Sequence, residues 1–294
     1  MSTLDILIAG AGTTGLMLAL RLARAGVPFR IIERNREPGR TPPTMVAQAL
    51  AIEFYQQIVL AEQLIEDGIC LEPTRWGNLG RVVVPSPFVL SFPQDDHDDC
   101  LLEQLRALGV EVEWNVALQH VEQRQDYLTA TLLKNGVHEV CEVSYVCGCE
   151  GARGLVRSAS DLKLSSAGID DQLFYVADVT VDGPQPPNVY VRAAPHNLIL
   201  TAPVRSGMRR LVGIVAPELE QHHGLTFDDM RASAEQMLGV TVGKAHWMST
   251  YRVHQRVAEA FRVCLVMPRN VTSRLRNGSG TLKPETRYRL STLA

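Results

Sequence analysis

The run LDILIAGAGTTGLMLALRLARAGVPFRIIER, beginning at Leu4, constrains the fold more than any other stretch of the chain. Leu4 to Ala9 has the length and apolar continuity of a strand buried on both faces. Gly10-Ala11-Gly12-Thr13-Thr14-Gly15 follows without a spacer, then an amphipathic stretch from Leu16 to Arg24, then Gly26 where a helix would stop. Val27 to Ile32 reads as a second buried strand, with Glu33 at its end. Each glycine of such a βαβ unit has a mechanical task. Gly10 allows the tight turn out of the strand, Gly12 lets backbone approach a pyrophosphate, and Gly15 lets helix and strand pack closely. The helix N-terminus adds unpaired N–H groups and a partial positive charge. An acid at the position of Glu33 accepts hydrogen bonds from a ribose hydroxyl, which suits FAD or NAD better than a 2′-phosphorylated dinucleotide.

Composition narrows the remaining choices. A chain of 294 residues holds one large or two ordinary domains. A net charge of −3 with no basic run argues against a nucleic-acid partner. No apolar segment approaches the roughly 18 residues of a membrane span. A strand that starts at once and carries Asp5 does not read as a signal peptide. Six cysteines are too sparse for a disulfide scaffold, so the expected setting is reducing and cytoplasmic. Cys147-Gly148-Cys149 lacks the two-residue spacer of a metal or redox pair and reads as packing.

Farther along, Val46 to Ile65 has helical periodicity and Gly68 ends it. Cys70 to Ser91 reads as short, edge-like strands punctuated by prolines. Pro93 and the acids of QDDHDD start a helix that Gly109 stops. Those acids suit the positive end of the helix. Consecutive helical residues point around the axis rather than at one focus, so no metal site is expected. Strands are expected between Val110 and Val146, with a hairpin at Asn135-Gly136. Residues 173 to 217 read as a mostly antiparallel sheet, Thr226 to Leu238 as a capped helix, and Trp247 to Val253 as a further strand. After Leu265 the hydrophobic periodicity is lost, and the composition predicts poor packing.

On three motifs the chain resembles the FAD-dependent aromatic hydroxylases of the para-hydroxybenzoate hydroxylase type, from about Leu4 to Leu265. The first is ILIAGAGTTGL with IIER, and the second is FPQDDH. The third is VCGCEGARGLVR, which is similar to the family's Cys-Asp-Gly-Ala-(Arg or Asn)-Ser-x-Val-Arg with Glu150 for its Asp and Gly154 for its Ser. The resemblance implies an α/β fold, a Rossmann-like FAD-binding domain with an inserted antiparallel β-sheet substrate domain. It divides the chain into FAD-binding segments 1–75 and 94–160, a β-rich substrate domain of 76–93 and 161–255, and a divergent tail, 256–294.

FAD is the implied cofactor and NAD(P)H the co-substrate, with O2 used to hydroxylate a small phenolic or polyketide-like aromatic substrate. Gly10, Gly12, Thr13, Thr14, Gly15 and Glu33, with Arg34 beside it, would bind the ADP half of FAD. Gln94 would touch FAD farther along, and Glu150, Gly151 and Arg153 would line the cofactor and nicotinamide side. No catalytic side chain is implied, because the cofactor carries the chemistry. Trp76, Phe88, Phe92 and Tyr190 are candidates for a substrate wall or for the core.

Two features depart from the family pattern. TPPTMVAQALAIE lacks the arginines expected in the loop after the first βαβ unit. The family's Gly-Asp-Ala-Ala-His motif does not follow Leu265. If Leu265 to Arg269 were encoded CTG GTG ATG CCG CGC, an adjacent frame would spell Gly-Asp-Ala-Ala, so a shifted reading frame or a mis-joined exon is the expectation for the tail. An impaired relative with weak or no FAD binding, or another FAD-dependent oxidoreductase, is the alternative. A halogenase should show a tryptophan-rich signature, and none is present.

Overall fold

A computed structural model of the chain describes residues 4–39, 44–47, 49–71, 75–76, 80–81, 89–151, 154–160, 162–166, 172–183, 189–195, 197–204, 207–222, 224–252, 256–258 and 260–261. The divergent tail beyond residue 261, Arg153, Phe88 and Cys264 lie outside them.

The opening unit forms as its periodicity predicts: strand β1 (Leu4–Ala9), helix α1 (Thr13–Arg24) and strand β2 (Phe29–Glu33). Strand β3 (Thr44–Ala47), helices α2 (Ala49–Gln57) and α3 (Ala61–Asp67), and the short strands β4 (Ile69–Leu71), β5 (Arg75–Trp76) and β6 (Gly80–Arg81) follow. Next come β7 (Val89–Pro93), α4 (Gln94–Ala107), β8 (Glu113–Trp114), β9 (Val116–Gln123), β10 (Leu128–Lys134) and β11 (Val137–Gly148). The remainder is α5 (Leu155–Ala159), β12 (Leu164–Ser166), β13 (Leu173–Asp182), β14 (Tyr190–Ala194), β15 (Asn197–Pro203), β16 (Arg209–Ile214), α6 (Phe227–Leu238), β17 (Thr241–Arg252) and β18 (Arg256–Ala258).

Two large sheets organise these elements. The first runs β8-β2-β1-β11-β10-β9, parallel from β8 to β11 and antiparallel over the β9–β11 meander. β1 is central, and Leu7, Ile8 and Ala9 are buried on both its faces. Ile8 and Ile31 pack under α1 and α4 with Leu16, Leu20, Leu101 and Leu105. Leu7, Ala9 and Ile32 pack on the opposite side with Val116, Leu132 and Val143. Two buried faces explain why β1 reads as an apolar run rather than an alternation. Arg30 on β2 meets Glu113 at 2.7 Å and Glu139 at 2.6 Å, and Lys134 meets Glu113 at 3.0 Å. That network joins the parallel edge of the sheet to its meander.

The second sheet runs β17-β13-β16-β15-β14-β5-β6, antiparallel except for the β14–β5 pair. Helix α6 covers one face, burying Phe227, Met230 and Ala234 against Tyr175, Ala177, Val179 and Leu211. The Thr226 N–H donates to Asp229 Oδ2 at 2.8 Å at the start of α6, and Gly239 ends it in the left-handed region. Two small sheets complete the described fold, β3-β7-β4 and the β12–β18 pair.

One expected helix differs. Val46 to Ile65 is not continuous: β3 pairs with β7 as far as Ala47, α2 ends at Gln57, and α3 starts at Ala61. Val59 stands at φ 53° between buried Ile58 and Leu60. Placing both flanking side chains in the core forces a β-branched residue into the left-handed region, a tertiary demand that overrides local propensity.

Candidate functional site

The site is built where the C-terminal ends of β1, β2 and β11 meet the first turn of α1. The Gly10 N–H donates to Ile32 O at 2.9 Å, and the Cys149 N–H donates to Ala9 O at 2.7 Å, so the turns after β1 and β11 touch. Gly10 has φ +104°, and a Cβ there would strike the Cys149 carbonyl. A Cβ on Gly15 would collide with the Gly10 carbonyl oxygen. Both glycines are therefore required by backbone contact within the protein itself.

Gly12 is different. It has an ordinary negative φ, and a Cβ built on it meets no protein atom within 4 Å. It is the N-cap of α1 and has no side chain with which to cap, so it leaves the first-turn N–H groups without a side-chain acceptor of its own. A helix of twelve residues with an uncapped N-terminus is an anion site in waiting. A missing side chain that no neighbour requires is what a closely approaching diphosphate needs.

Glu33 points into this turn. Its Oε2 accepts the Ala11 N–H at 2.9 Å and its Oε1 accepts the Asn35 N–H at 3.0 Å. A carboxylate has about four acceptor positions, so lone pairs remain for ribose hydroxyls. Thr13 and Thr14 occupy the first turn, Thr14 exposed and Thr13 half-buried, while Arg34 is exposed just beyond β2. Gln94 opens α4, half-buried. It lies one helical turn before Asp98, whose Oδ1 accepts from Thr13 Oγ1 at 2.7 Å, so α4 begins beside the glycine turn.

Glu150 and Gly151 follow β11, and the Glu150 backbone lies directly against Gly10. The Glu150 Oε2 accepts the Val156 N–H at 3.0 Å, so this carboxylate caps α5. Gly151 is exposed at φ +77°. Cys149 lies under the turn, its thiol pushed up to about 12 by burial, and so remains a neutral packing group. Of the aromatic candidates, Phe92 is a core residue stacked on His97 at 5.2 Å, and Tyr190 is half-buried on β14. Among the described residues no three His, Cys, Asp or Glu side chains cluster as a metal site would.

Reading the acids of QDDHDD only as helix-dipole partners missed Asp98 and His97. Asp98 is four residues after Gln94 and shares its helix face, which is the signal that would have singled it out. His97 is wholly buried, between Phe92 and Tyr55, its Nδ1 3.3 Å from Asp98 Oδ1.

Comparison with known proteins agrees with this geometry. A family model described as an FAD binding domain matches residues 3–266. The dialkyldecalin synthase of Streptomyces rugosporus is 28% identical over 87% of this chain and 57% of its own length. The 6-methylpretetramide 4-monooxygenase of Streptomyces rimosus is 30% identical over 88% of this chain and 49% of its own length. The chain thus spans about half the length of these curated relatives. The crystal structure of p-nitrophenol 4-monooxygenase from Pseudomonas putida DLL-E4 matches with a TM-score of 0.74 at 20% identity, over 91% of this chain and 72% of that one, a likeness of fold.

Proposed function

The chain belongs to the FAD-binding-domain family of flavin-dependent aromatic hydroxylases, and from that membership we propose that it hydroxylates a phenolic or polyketide-like aromatic substrate, using NAD(P)H and O2. FAD, when bound, supplies the redox chemistry. The chain's own residues bind and orient. Gly10, Gly12, Thr13, Thr14 and Gly15 receive the diphosphate at the α1 N-terminus, and Glu33, with Arg34 beside it, receives the ribose. Gln94 reaches FAD from α4, Glu150 and Gly151 border the cofactor from the β11 side, and Arg153 is assigned to the same cofactor and nicotinamide role on the motif alone. We assign 1–75 and 94–160 to the cofactor domain, 76–93 and 161–255 to the substrate domain, and 256–294 to the divergent tail, whose Arg256–Ala258 pairs with β12. A cytoplasmic setting belongs to the same proposal. Five described cysteines that are all free thiols support it, as does the lack, among the described residues, of any helix long and apolar enough to cross a membrane.

The observation that carries the reading is the open space over Gly12, rimmed by the Glu33 carboxylate and the uncapped α1. The named activity of the Streptomyces rimosus relative supports an aromatic polyketide as substrate. The test is turnover by the full chain with FAD, NADH or NADPH, and anhydrotetracycline as probe under 18O2. Probe-dependent NAD(P)H consumption with one 18O atom in the product is expected. NAD(P)H consumption that is indifferent to aromatic probes would contradict the proposal.

Similarity to the dialkyldecalin synthase supports a second reading, in which the same scaffold closes a carbocycle without net oxidation. Product formation that persists without NAD(P)H and O2 separates this reading from the first.

A further inference from the structure

Thr13, Asp98 and His97 form a line of contacts that runs from the glycine turn into the core. The Thr13 hydroxyl donates to Asp98 Oδ1 at 2.7 Å, and His97 Nδ1 lies 3.3 Å from the same oxygen. An ionised carboxylate can only accept, so His97 Nδ1 carries the proton. The imidazole is 0% exposed, stacked on Phe92 at 5.2 Å and edge-on to Tyr55 at 5.4 Å. Tyr55, pushed up to about 12 by burial and by the charge of Asp98, stays neutral beside it. His97 Nε2 is buried with no hydrogen-bond partner among the described residues.

An unsatisfied buried nitrogen costs stability, and an apolar ring would fill the same slot without that cost. The other nitrogen therefore has to justify the histidine, and what it does is hold Asp98. Asp98 in turn accepts the hydrogen bond of the Thr13 hydroxyl, and Thr13 is the first residue of α1, next to the open N-cap Gly12. A carboxylate near an anion site opposes anion binding electrostatically, so its presence there points to orientation rather than to attraction.

We propose that Asp98 and His97 are positioning residues, acting through Thr13 to hold the first turn of α1 so that its N–H groups meet the diphosphate of FAD. The inference rests on the FAD reading given above. It differs from a plain α1–α4 clamp in what it makes sensitive: cofactor affinity rather than stability of the fold.

The test compares FAD titrations and thermal melts of the full-length wild type with Thr13→Val, Thr13→Ser and His97→Phe. Thr13→Val keeps the shape and loses the hydroxyl. Its FAD affinity should fall about tenfold with the melting temperature nearly unchanged, since each tenfold is about 1.4 kcal/mol. Thr13→Ser should restore wild-type affinity. His97→Phe keeps a ring between Phe92 and Tyr55 and removes the unsatisfied nitrogen, so affinity should fall severalfold while the melting temperature holds or rises. Wild-type affinity in His97→Phe overturns the inference whatever Thr13→Val shows, since the Thr13 hydroxyl also stands where it would meet the diphosphate, and so does affinity that falls only in proportion to the melting temperature. Wild-type chain that binds no FAD overturns the cofactor reading and this inference with it, and that arm reports separately from the variants.

Discussion

At the scale of single residues, the three glycines of the turn make separable predictions. Gly10→Ala strains φ +104° and strikes the Cys149 carbonyl, and Gly15→Ala drives α1 away from β1. Each should cost about 2–4 kcal/mol of stability, read as a fall in the denaturation midpoint. Gly12→Ala meets nothing in the protein, so stability should move by less than about 0.5 kcal/mol while FAD affinity drops at least tenfold. The roles of Gly10 and Gly15 are legible in the sequence because a left-handed turn and a close helix–strand contact are local requirements. The place of Glu33 beside the turn is legible too, because the end of β2 brings its carboxylate to the Ala11 N–H. Asp98 was not legible, because its partner Thr13 is 85 residues away and only the packing of α4 on α1 brings them together.

At the scale of elements, strands and helices with their own punctuation were readable: Gly26 after α1, Asn135-Gly136 between β10 and β11, Thr226 before α6. The hairpin residues stand at φ 52° and 78°, as a two-residue turn of that type demands. The break between α2 and α3 has no such punctuation, since neither Gly nor Pro marks it and the core imposes it. Val59 is 73% exposed in a conformation its side chain disfavours. Val59→Gly should therefore raise stability by roughly 0.5–1 kcal/mol in a thermal melt.

The ion network across the first sheet makes a pH prediction. The Arg30 guanidinium bonded to Glu113 holds that carboxyl below its usual range, against the opposing effect of burial. A depressed folded-state value contributes stability that is present above the unfolded value of about 4 and lost as pH falls through the folded one. Glu113→Gln should lower stability near neutrality by about 1 kcal/mol, and the difference from wild type should shrink as acid takes the pH through the depressed folded-state value, as urea melts at stepped pH would read.

At the scale of the whole molecule, a parallel sheet with a cofactor turn stands beside an antiparallel sheet backed by one helix, as the motif order implied. Strand order was not readable from one sequence, because β11 joins β1 from 139 positions away and only shared burial of both faces selects that neighbour. The composition change after Leu265 lies outside the described residues, and the chain spans about half the length of its curated relatives. Cofactor binding is therefore the property on which every other functional statement depends. In the proposed reading, the turn formed by Gly10 to Gly15 with Glu33 would receive the diphosphate and ribose of the ADP half, which FAD has and FMN lacks. Calorimetric titration of the full chain with each flavin tests this directly: the account predicts one FAD bound per chain and FMN bound at least a hundredfold more weakly. Equal affinity for the two flavins, or no heat from FAD, would contradict it.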